Sequence, residues 1–78
     1  MKLKKLLEIA TGLLRDDEIF ADEIRNIYGE KGMDILIEAE KRVIKMTREL
    51  YDPDRDQETL CEEVGKRVIE IKNELVER

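Results

Sequence analysis

The sequence has no histidine, no serine and no tryptophan, and it has only one cysteine and one proline. Each absence removes a class of chemistry. Without histidine, the commonest general base and metal ligand is missing, and the Glu–His pairs of di-iron bundles cannot be built. Without serine there is no serine nucleophile. One cysteine permits no internal disulfide, and with no histidine to activate it, Cys61 is read as a packing residue. The four glycines are scattered, so no Gly-rich phosphate loop forms. No apolar run approaches the roughly 20 residues that span a bilayer.

What remains is helix-forming and charged. Asp, Glu, Lys and Arg make up 45% of the 78 residues, with a net charge of −5. This length predicts one domain, residues 1–78, close to the lower limit for a stable single core. An acidic surface disfavours duplex DNA and anionic membranes as partners. The start, Met1-Lys2-Leu3-Lys4-Lys5-Leu6-Leu7, mimics the charged region of a signal peptide, but Glu8 interrupts it. With a single thiol, the expected location is cytoplasmic. Many Glu, Lys and Arg beside three Asn and Gln give a thermophile-like composition.

Apolar periodicity predicts an all-α fold. Leu36, Ala39, Val43, Met46 and Leu50 recur at helical spacing, as do Cys61, Val64, Val68, Ile71 and Leu75. The expected elements are helices over 3–14, about 17–28, about 33–51 and about 56–77. The first buries Leu3, Leu6, Leu7, Ala10, Leu13 and Leu14, and the second Phe20, Ile24, Ile27 and Tyr28. Asp16-Asp17-Glu18 suits a helix start. Gly29 suits a left-handed stop, and Pro53 breaks the chain after the third helix. The architecture is then a small antiparallel bundle of four helices, or three if residues 3–28 form one continuous helix. The break is preferred, because a continuous helix places Asp17 in the buried stripe.

The third helix stands apart. Its apolar arc is roughly 190° wide against a usual stripe of about 100°. Beside the main stripe lie Met33, Ile37, Ile44 and Tyr51, and the fourth helix has a weaker edge of Gly65, Ile69 and Val76. Such edges pack on neighbouring helices or form a subunit interface. Asp34, Glu38, Lys41, Arg42, Lys45, Arg48 and Glu49 make the polar face of the third helix.

Three constellations bear on chemistry. Asp52, Asp54, Asp56 and Glu63 occupy positions 1, 3, 5 and 12 of a window that resembles an EF-hand calcium loop. It departs from that pattern at Gln57, where the loop needs Gly, and at Thr59, so an acidic turn and helix cap is the preferred reading. Glu40 is the one acid near an apolar arc of the third helix, as a carboxylate for magnesium or for an Arg or Lys at a bundle edge. Residues 17–42 can be read as helix-turn-helix, but Met33-Asp34-Ile35-Leu36-Ile37-Glu38 offers little that reads a groove.

The expected function is therefore a non-enzymatic protein–protein interaction or self-assembly module. It is homodimeric or bound to another protein, with no membrane partner, no cofactor, no metal and no catalytic residues. The expected interface residues are Met33, Ile37, Ile44 and Tyr51, then Ile69 and Val76. The alternatives are a small regulator or antitoxin-like DNA-associated protein, and a carboxylate-dependent metal-binding protein.

Overall fold

A computed structural model describes residues 1–77. Its elements are α1 (Leu3–Arg15), α2 (Glu18–Tyr28), α3 (Gly32–Leu50) and α4 (Gln57–Val76), with a 3-10 turn at Gly29–Lys31. The fold is all-α, a small helical bundle.

Local chemistry sets each boundary. Asp17 leaves the helical region and its Oδ1 accepts the Phe20 N–H at 3.0 Å, so the carboxylate caps α2. Asp56 does the same for α4, accepting the Thr59 N–H at 3.2 Å. Gly29 closes α2 with a φ of 60°, a value that L side chains resist. Gly32 is buried where α3 begins, and a Cβ there would meet the Arg25 Cα at 3.3 Å. Glycine thus lets α2 fold back closely on α3.

Long-range side-chain contacts orient the helices. The Tyr51 hydroxyl at the end of α3 donates to the Met1 carbonyl at 2.8 Å, and Arg15 at the end of α1 pairs with Glu40. Hence α1 runs antiparallel to α3. Arg42 of α3 pairs with Glu74 near the end of α4, so these two are antiparallel as well. Tyr28 donates to the Leu75 carbonyl at 2.7 Å, joining the end of α2 to the end of α4. The molecule is a three-rod bundle in which each rod packs on the other two, with α1 and α2 acting as one broken helix.

One contiguous core joins all four helices. It comprises Leu6, Ala10 and Leu14; Phe20 and Ile24; Ala39, Val43 and Met46; and Leu60, Val64, Val68, Ile71 and Leu75. Thr47 is buried too, and its hydroxyl donates to the Val43 carbonyl at 2.7 Å, which removes the cost of an unpaired polar group. The expected faces were too wide at α1 and α2. Leu13 and Ile27 are exposed, because a short helix with two neighbours buries only the residues between them, and Leu3, Leu7 and Tyr28 are partly buried. Leu36, Leu50 and Cys61 flank the core and do not sit at its centre.

The break between α1 and α2 is closed from α4. A continuous helix would pair the Asp17 N–H with the Leu13 carbonyl, but here that N–H turns to Leu14 at 3.4 Å. The Lys72 ammonium takes the carbonyl so released, donating to Leu13 O at 2.9 Å and to Asp17 Oδ2 at 2.6 Å. It also lies 5.8 Å from the Phe20 ring centroid, within cation–π range.

Hydrogen bonding from Lys72, then from the Phe20 N–H, holds the Asp17 carboxyl below its ordinary pKa. A depressed folded pKa adds stability above the unfolded pKa, and that stability disappears as pH falls through the folded value. Asp17→Asn keeps a capping side chain and loses the charge. Its melting temperature should lie below the parent's at pH 7, with the gap closing below about pH 4. A gap independent of pH would refute the charged contact.

Candidate interaction surface

The expected interface residues separate into three settings. Met33 and Ile37, on successive turns of α3, are 60% and 48% exposed. They border a groove between α3 and the α1–α2 unit, whose floor and walls include Leu14, Ala21, Arg25 and Leu36. Ile44 and Tyr51 continue the same edge toward the C-terminus, but both are partly buried, and Tyr51 is tied to Met1. On α4, Ile69 is 57% exposed, while Val76 packs against the core beside Ile19, Phe20 and Lys72. The structure therefore brings Met33 and Ile37 together and leaves Ile69 and Val76 on another helix.

Next to Ile37 the exposed face of α3 carries Asp34, Glu38, Lys41, Arg42 and Lys45, which line one shallow surface. Arg42 is turned to Glu74. Asp34, Glu38, Lys41 and Lys45 take part in no ion pair among the described residues.

The other constellations have structural partners. Glu40 pairs with Arg15 at the bundle edge. Asp52 Oδ1 accepts the Asp54 N–H at 2.9 Å in a local turn, and Asp56 caps α4. Glu63 receives the Arg55 guanidinium in a fork, at 2.7 and 2.9 Å. Among the described residues, no group of three or more Cys, Asp and Glu side chains is placed to hold a metal ion. Among the described residues no helix is long and apolar enough to cross a membrane.

Periodicity alone placed Leu13 and Ile27 on buried faces, yet they are 43% and 46% exposed. Their exposure depends on which helices adjoin α1 and α2, which spacing does not encode. Comparison of the chain with family models, curated proteins and solved structures finds no match.

Proposed function

We propose that this chain is a non-enzymatic interaction module that self-associates as a homodimer through the outer face of α3. The observation that carries the reading is the pair Met33 and Ile37, large apolar side chains left in water on adjacent turns of α3, beside its charged outer face. A short domain gains burial most readily by covering such a pair with a second chain. The lone, partly buried thiol of Cys61 fits a reducing compartment such as the cytoplasm.

Light scattering should give about twice the 9.2 kDa chain mass at micromolar concentration, and the melting temperature should rise with concentration. Ile37→Asp should return the mass to that of one chain without loss of helix content, since Ile37 contributes little to the core. A parent of 9.2 kDa whose melting is independent of concentration would remove this reading.

A further inference from the structure

Charge on the outer face of α3 is sorted along the helix. Asp34 and Glu38 occupy the first half, Lys41 and Lys45 the second. Their spacing is four, three, four, which reads the same in both directions while the sign inverts at the midpoint. Within one chain the order suits the helix dipole, but it sets like charges side by side. Asp34–Glu38 and Lys41–Lys45 are like-charge neighbours at i, i+4, and no ion pair among the described residues relieves them.

Resting on the self-association reading, we infer that the partner is a second copy of this chain, whose α3 lies antiparallel across the first about a twofold axis at the level of Ala39–Glu40. The register follows from the charges. With the axis there, Asp34 faces Lys45 of the other copy and Glu38 faces Lys41. An isologous interface repeats every contact, so the four inner charges of each chain are all answered.

The apolar residues obey the same operation. Met33, Ile37 and Ile44 run along one edge of this face, at angles of roughly −40°, 0° and −20° at 100° per residue, while Asp34, Glu38 and Lys45 run along the other, at roughly 60–100°. A twofold perpendicular to the two helices keeps the apolar edges on one side and the charged edges on the other. Ile37 then comes beside Ile44 of the second copy, offset by less than one turn. Burial of the apolar edge supplies affinity, and the charges set direction and register. The nucleic-acid alternative uses only the basic half of the face and leaves Asp34 and Glu38 against phosphate.

The test is a charge swap, read by sedimentation equilibrium. Asp34→Lys with Glu38→Lys makes the row wholly basic, and Lys41→Glu with Lys45→Glu makes it wholly acidic. Each variant should dimerise at least about tenfold more weakly than the parent, and an equimolar mixture should recover dimer mass as a heterodimer. Circular dichroism verifies folding. Because Asp34 lies in the first turn of α3, where a cation is unfavourable, the mid-helix pair Glu38→Lys and Lys41→Glu serves if the first variant unfolds. Its double exchange within one chain should restore the homodimer. Variants that still self-associate like the parent, or a mixture that stays monomeric, overturn the antiparallel α3 pairing and leave self-association by another face. A monomeric parent removes both.

Discussion

Val68→Asp is expected to unfold the domain at pH 7. Val68 is 1% exposed in the middle of the α4 stripe, with Val64 and Ile71 one turn to either side in the same core. A carboxylate placed there has no partner. Lys72 is the cation at i+4 on the same side of α4, but its ammonium is already held by Leu13 O and Asp17, so recruiting it would open the break between α1 and α2. Burying an unpaired charge costs several kcal/mol even after relaxation. A domain of this length has roughly 4–12 kcal/mol in total. The carboxyl can escape part of the cost by taking up a proton, so its folded pKa is raised. The penalty therefore applies at neutral pH and eases as pH falls toward the ordinary carboxylate range. Circular dichroism should show little cooperative melting at pH 7 and partial recovery near pH 4. A melt within a few degrees of the parent's would refute this stripe.

The helix boundaries were legible because they rest on local chemistry. The expected spans of 3–14, 17–28, 33–51 and 56–77 meet observed spans of 3–15, 18–28, 32–50 and 57–76. Asp17, Gly29, Pro53 and Asp56 each act on the backbone within a few residues, so their effect needs no tertiary contact. Side-chain exposure is different. The wide apolar arc of α3 was legible, but its division was not. Tyr51 is drawn to Met1 and Ile44 is partly covered, while Met33 and Ile37, near the opposite end, stay in water. Only the positions of α1 and α2 decide between these outcomes. Lys72 is the same kind of case. In sequence it is one lysine of a charged helix, and its role depends on a carbonyl released by a break 55 residues upstream. The charges of α3 were legible as a polar face. Their sorted order acquires meaning once the structure shows that Asp34, Glu38, Lys41 and Lys45 find no partners among the described residues of their own chain.

Leu60→Ala should be the most damaging of the large-to-small changes in the first half of α4, and Cys61→Ala nearly silent. The 3-4-3-4 pattern puts Cys61 on the main stripe, yet Leu60 is 0% exposed and Cys61 is partly buried beside the core. Helix geometry explains the difference. Relative to Val64, Leu60 lies about 40° to one side and Cys61 about 60° to the other. The wider angle carries Cys61 toward the rim. The cap reinforces this phase, because Asp56 accepts from Thr59 through its side chain, while its carbonyl takes the Leu60 N–H at 3.0 Å. Leu60 thus starts the first full turn already facing inward. Removing its side chain leaves a cavity that the rigid helix start cannot collapse around, at about 2–5 kcal/mol. Cys61→Ala removes one partly solvated sulfur, at roughly 1 kcal/mol or less. In a domain of this size each kcal/mol moves the melting temperature by about 4–8 °C. Leu60→Ala should therefore melt below Cys61→Ala, by about 4 °C at the least and by more where the cavity stays open. The opposite order would show that Cys61, and not Leu60, anchors α4 in the core.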